Sequence, residues 1–211
     1  MPGIPATPRG IEHRATVSRQ LAALIGALRD ADPGERRFSG SGRGGRLADH
    51  DDWVSECLQR SEHLLPVDRL RRMWDRARSL PREDADVLCH GDLIPANLLV
   101  DGADGADGTD GADGADVTGT ASRLVGVLDT GGFGPADPAL DLVVAWHLLD
   151  AERRAVLREQ LRASDLQWAR GAAWALEQAL GLVWYYERTL PAMADLGRTT
   201  LGRLLEDPVL A

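Results

Sequence analysis

Lysine is missing altogether: all 24 basic residues among the 211 are arginine. Every permanent side-chain cation is therefore a planar guanidinium, a poor stand-in where a compact ammonium on a flexible stem is needed. Cysteine is nearly as scarce. Cys57 and Cys89 are the only two, which excludes a disulfide framework and fits reduced thiols in a cytosolic protein. No apolar run is long enough to span a bilayer, and the opening MPGIPATPRG lacks the charged-then-apolar layout of a secretory signal. The expectation is a cytoplasmic protein with no membrane partner. Positive charge is also short. The net is −9, but Asp101, Asp104, Asp107, Asp110, Asp113 and Asp116 of one repeat carry six of those charges and leave about −3 elsewhere. Nucleic acid, whose binding needs a cationic surface to displace phosphate counterions, is not an expected partner.

What is present is ordinary for a globular chain: 44% apolar and 27% charged residues, enough for one large domain or lobe with a substantial core. Residues 1–16 hold three prolines and read as a flexible leader. Helical stripes follow at Val17, Leu21, Leu24, Ile25 and Leu28, and from about Asp51 with Trp53, Val54, Cys57 and Leu58 inward. A third helix begins at Pro66 and puts Leu70, Met73, Trp74 and Ala77 on one face. Val87 to Cys89, Leu98 to Val100 and Leu124 to Leu128 are short apolar runs bounded by turn residues, and read as strands. Beyond the cap Asp137-Pro138 the pattern is helical, with segments from about Glu152 to Leu161, Asp165 to Glu187, and after Pro191. The repeat at 102–121 has the wrong ligand spacing for an EF-hand and reads as a disordered insertion between two strands.

The chemistry-bearing residues cluster at the small β element. VLCHGDLIPANLLV contains H-x-D-x-x-x-x-N, formed by His90, Asp92 and Asn97. Phosphoryl transfer needs a carboxylate to orient a hydroxyl and accept its proton, a nearby oxygen for magnesium, and a second acidic ligand at a neighbouring strand end. Asp92, Asn97 and Asp129 suit these roles in turn, because a hairpin of the second and third strands would bring Asn97 and Asp129 together. Asp92 as a simple turn residue is the plainer alternative.

HGDLIPANLLV and LDTGGFGPADPALDLVVAW resemble the aminoglycoside phosphotransferase family, of the protein-kinase-like fold. The resemblance covers roughly residues 17–206, is specific at 88–146, and leaves 207–211 as a tail. It implies an α+β, mostly helical fold: a kinase-like C-terminal lobe whose small hairpin carries the catalytic loop. It implies Asp92 as catalytic base, Asn97 and Asp129 as Mg2+ ligands, and ATP as phosphate donor. It also implies His90 as structural support and Asp141 as a buried brace of the catalytic loop. Trp184, Tyr185 and Tyr186 could line an acceptor pocket or simply fill the core. Thr130 stands where the family often has phenylalanine or tryptophan.

Such enzymes also use an N-terminal β lobe with a glycine-rich loop and a strand lysine on the phosphates. GSGRGG at 40–45 fits G-x-G-x-x-G, but no strand precedes it and no lysine follows, so it reads as a flexible loop. The expectation is a C-terminal lobe whose β lobe is lost, separately encoded as a partner chain, or removed by a misplaced start. Two functions fit: a truncated, weakly active phosphotransferase acting on a hydroxyl or amino-alcohol acceptor, or a non-catalytic relic that binds a ligand.

Overall fold

The computed structural model describes residues 3–7, 14–101 and 123–210. The Asp-Gly-Ala repeat therefore lies outside the described residues. Among the described residues twelve strands and α-helices follow one another: β1 (Ile4–Pro5), α1 (Ala15–Asp30), α2 (Asp51–Arg60), α3 (Val67–Ala77), β2 (Val87–Cys89), β3 (Leu98–Val100), β4 (Leu124–Val127), β5 (Gly134–Ala136), α4 (Val143–Leu148), α5 (Ala151–Leu161), α6 (Asp165–Tyr186) and α7 (Pro191–Glu206). Among the described residues the fold is mostly helical with two small sheets.

The sequence stripes become buried faces. Val17, Leu21, Ile25 and Leu28 of α1 are buried, as are Leu70, Met73, Trp74 and Ala77 of α3. Trp53 departs from the expected inward face: it is 38% exposed and lies at the rim across Gly181, near the Trp184 ring. At the centre runs α6, buried nearly all round from Trp168 to Val183 and capped at its start by Ser164, whose hydroxyl accepts from Gln167 N. Helices α2, α4 and α7 pack around it. A helix buried on nearly every side must be surrounded, and this one is the axis of the core, with buried Arg170, Glu177 and Gln178 the exceptions on an otherwise apolar surface.

Strands β3 and β4 form the expected antiparallel hairpin, with Leu98 opposite Val127. Two pairings were not legible. Ile4–Pro5, in the stretch read as leader, pairs with β3, and β2 pairs antiparallel with β5, Gly134–Ala136. Gly-Pro-Ala has little strand preference of its own, so tertiary pairing decides it. The segment after Asp137 first makes a short 3-10 turn at Leu140–Leu142 and becomes α-helical only at Val143.

Candidate active site

Strand β2 delivers His90, Gly91 and Asp92 to the end of the small sheets. Gly91 takes φ +84°, a left-handed turn open to glycine, and its N–H and that of His90 both point inward. Asp141 receives them: His90 N donates to Oδ2 at 2.8 Å and Gly91 N to Oδ1 at 2.9 Å. Only 2% of Asp141 is exposed, and burial raises its carboxyl pKa against the opposing pull of the two N–H bonds. The sequence-predicted brace is thus in contact with the loop. His90 is fully buried; its Nδ1 accepts from Asp92 N at 3.2 Å, so its Nε2 carries the proton and donates to Leu128 O at 2.9 Å. One ring links the loop to the residue before Asp129.

The Asp92 carboxylate collects three donors. Asn97 Nδ2 reaches Oδ2 at 3.1 Å and the Asp92 carbonyl at 2.9 Å. Gln178 Nε2 reaches Oδ1 at 2.5 Å, and Arg43 Nη2 reaches the same oxygen at 3.2 Å. Behind Gln178 a buried polar chain continues, with His147 Nε2 3.0 Å from Gln178 Oε1 and Nδ1 2.9 Å from Thr200 Oγ1. Burial lowers the His147 pKa to about 4, so near neutrality the ring is neutral and donates from Nε2 to Gln178 Oε1, while Nδ1 and the Leu196 carbonyl, 2.8 Å away, compete for the single Thr200 hydroxyl proton. The chain fixes Gln178 with its amide N–H toward Asp92.

Asp129 sits at φ +56°, unusual for a residue with a Cβ, and turns its exposed side chain toward the cleft. Its carboxylate has no hydrogen bond or ion pair among the described residues. Asn97 and Asp129 are drawn together through the backbone, where Leu128 N donates to Asn97 O at 2.8 Å. A cleft of about 460 Å³ opens over Asp92 and Asp129, walled on its far side by Arg37, Phe38, Ser39 and Arg43. Trp184, Tyr185 and Tyr186 do not line it. Trp184 lies under Arg60, 4.9 Å from its ring centre, and Tyr186 packs with Ile94, Leu182 and Leu196.

The glycine-rich segment, expected to be flexible, is pinned. His50 Nε2 lies 3.2 Å from Gly42 O, Asp137 N donates to Gly44 O at 2.9 Å, and Arg170 Nη2 donates to Gly45 O at 2.9 Å. Asp137 is more than the helix cap it resembles. It accepts from Ala139 N, and it also forms a buried ion pair with Arg170 at 2.6 Å. Arg43, His147, Arg170 and Gln178 escaped sequence reasoning. The one available signal was Glu177-Gln178, two adjacent polar residues inside an apolar helical stretch.

Residues 1–108 match the family model described as "Phosphotransferase enzyme family". An aminoglycoside 3'-phosphotransferase of Streptomyces fradiae is 31% identical over 163 residues, 72% of this chain. The chain belongs to the phosphotransferase enzyme family. It spans about half the length of that curated relative, 52%. Solved structures share the fold at low identity. An ethanolamine kinase of Plasmodium vivax, 13% identical, matches with a TM-score of 0.57 over 100% of this chain and 64% of its own. An ADP-bound aminoglycoside phosphotransferase, APH(2'')-Ib, matches at 0.52 with 14% identity, over 94% of this chain and 69% of its own. The macrolide 2'-phosphotransferase MphH of Brachybacterium faecium matches at 0.51 with 20% identity, over 95% and 67%.

Proposed function

We propose that this chain carries the catalytic loop of an ATP-dependent phosphotransferase whose acceptor is a small-molecule hydroxyl, an aminoglycoside or another amino-alcohol. Asp92 supports the reading most directly: it stands on the floor of the cleft, held by Asn97 and Gln178, over a loop fixed by Asp141. In the proposed step the acceptor oxygen bonds to the γ-phosphorus as the bridge to the β-phosphate breaks. ADP leaves, and the hydroxyl proton passes to Asp92.

Magnesium prefers hard oxygens and takes few from protein, completing its shell with water and phosphate. The residues fit that habit. With its nitrogen committed to Asp92, the Asn97 amide has its oxygen left for an ion, and Asp129 offers a carboxylate with no partner among the described residues. No group of three or more His, Cys, Asp or Glu suited to a metal occurs among the described residues. A bound ion would neutralise charge developing on the transferred phosphate.

The nucleotide side sets a limit. A lysine on the α/β-phosphates cannot come from these residues, which contain none. The chain alone is expected to bind MgATP weakly and turn over slowly, and supplying a related β lobe in trans should raise both. This lack also favours a second reading, a folded module that binds a ligand without transfer. Transfer of label from γ-labelled ATP to a panel of amino-alcohol acceptors tests the first. Asp92→Ala should lower it ~10²–10⁴-fold; undiminished transfer by that variant would refute Asp92 as the base. Stabilisation against heat by an acceptor but not by MgATP would favour the module.

A further inference from the structure

We propose that Arg43 and Arg37 form an anion subsite beside Asp92, and that an arriving carboxylate or phosphate draws Arg43 off the Asp92 carboxylate. The inference deepens the phosphotransferase reading and rests on it for the role of Asp92. Its occupant is an anionic group of one of two origins: the γ-phosphate of the donor nucleotide, or an acidic substituent on the acceptor.

The argument begins with what holds Asp92. Gln178 is buried and fixed from behind by His147, and Asn97 is anchored by a second bond to the Asp92 carbonyl. Arg43 differs, because it comes from the glycine-rich segment that lines the cleft and has no second acceptor among the described residues. The two side chains are 27% and 34% exposed, so water screens the pair and its strength is small. Arg43 and Asp92 line the same cleft, so an acceptor hydroxyl seated on Asp92 would compete with Arg43 for its carboxylate. Of the three donors, Arg43 is the one that can leave.

Loop geometry lets it leave without moving the backbone. Gly42 and Gly44, on either side, take φ +73° and +100° and have their carbonyl oxygens bound to His50 and Asp137 N. A Cβ at Gly44 would lie 2.6 Å from Ala136 Cβ, so the close approach of loop to β5 needs glycine there. With both flanks pinned, only the Arg43 side chain is free to swing.

Asp92 and Asp129 also line the cleft, but the segment carrying Arg37 and Arg43 presents two guanidiniums that suit an anion. Arg37 lines the same wall, and its Nη1 donates only to the carbonyls of Gly34 and Arg36, with no carboxylate paired to it among the described residues. One guanidinium is thus uncompensated and a second is held weakly. A guanidinium presents a fork of N–H groups matched to carboxylate or phosphate oxygens. Ser39 and Ser41 add hydroxyls to the wall.

Calorimetric titration of the 211-residue chain with sodium pyrophosphate, without magnesium, tests the subsite independently of turnover. Arg43→Ala should weaken binding by about tenfold or more, the value of a lost charge-assisted hydrogen bond, and Arg43→Lys should keep part of it. Asp92→Asn should tighten binding about two- to fivefold by releasing Arg43 from an exposed pair, and the gain should vanish in the double variant. Displacement of pyrophosphate by ATP but not ADP assigns the site to the γ-phosphate. Displacement by glycerol 3-phosphate, a hydroxyl acceptor bearing an anion, assigns it to the acceptor. Unchanged affinity in Arg43→Ala, no gain in Asp92→Asn, or displacement by neither ligand overturns the proposal. Because no transfer is read, an inactive chain that passes these tests refutes only the phosphotransferase reading.

Discussion

Replacing Arg170 with methionine should be among the most damaging single changes in this protein. The guanidinium is 1% exposed and donates through Nε to Asp137 Oδ2 at 2.7 Å. It also donates to Leu80 O at 2.8 Å, Pro81 O at 3.2 Å and Gly45 O at 2.9 Å. Methionine fills much of the volume but supplies none of these donors. Asp137, itself 1% exposed, would keep Ala139 N and a long bond from Trp174 Nε1 at 3.3 Å, with no cation. Leaving one member of a buried pair alone costs ~3–5 kcal/mol. For a chain of this size each kcal/mol moves the midpoint ~2–4 °C, so a fall of roughly 6–20 °C is expected in a thermal melt. The decisive comparison is the double variant Arg170→Met with Asp137→Asn, which removes both charges and should recover much of the loss. Urea denaturation of the four proteins in the cycle measures the coupling. A single-variant loss under about 1 kcal/mol, or a double variant no better than Arg170→Met, would show that burial of an uncompensated charge is not what the pair prevents.

Further outcomes follow from the same geometry. Because burial lowers the His147 pKa to about 4 against an ordinary 6.5, the unfolded chain binds more protons in that window; stability should fall as pH drops from about 6.5 toward 4. That part of the slope should disappear in His147→Gln, read by thermal melts across pH. Gly44→Ala should destabilise by ~1–3 kcal/mol in urea, since it combines a positive φ with a Cβ 2.6 Å from Ala136 Cβ. Asn97→Asp retains an oxygen for magnesium but sets a carboxylate oxygen near Asp92 Oδ2, where an N–H now donates at 3.1 Å. Transfer should be lost in Asn97→Asp, and full activity would mean that the amide nitrogen is dispensable.

How much was legible depended on separation along the chain. His90, Asp92 and Asn97 fall within eight residues, so their shared chemistry shows in a single motif, and the hairpin of β3 with β4 followed from two apolar runs, though not its register. Arg43 meets Asp92 across 49 positions and Gln178 meets it across 86. No local pattern encodes either contact, because an arginine in a glycine-rich loop and a glutamine in a helix are common in solvent. The aromatic run Trp184, Tyr185 and Tyr186 could be read as pocket or as core, and local chemistry could not choose: the three do not line the cleft over Asp92, and Trp184 packs against the core. Strands β1 and β5 were hidden because Ile-Pro and Gly-Pro-Ala become strands only through partners already in place.

The three donors on Asp92 therefore divide by what lies behind them. Gln178 is 8% exposed and ends a chain through His147 to Thr200, so deleting its amide would strand buried polar groups as well as release Asp92. Arg43 is partly exposed and bonds no other group among the described residues, so deleting it strands no buried partner. The role proposed for Asp92 as general base needs this asymmetry. Its orientation must survive each encounter, which requires donors whose loss destabilises the fold, while its open lone pair must be surrendered to the acceptor at little cost. The buried amide supplies the first property and the screened guanidinium the second. Substitution at 178 should thus lower stability and transfer together, whereas substitution at 43 should change ligand affinity while the melting temperature stays close to that of the parent.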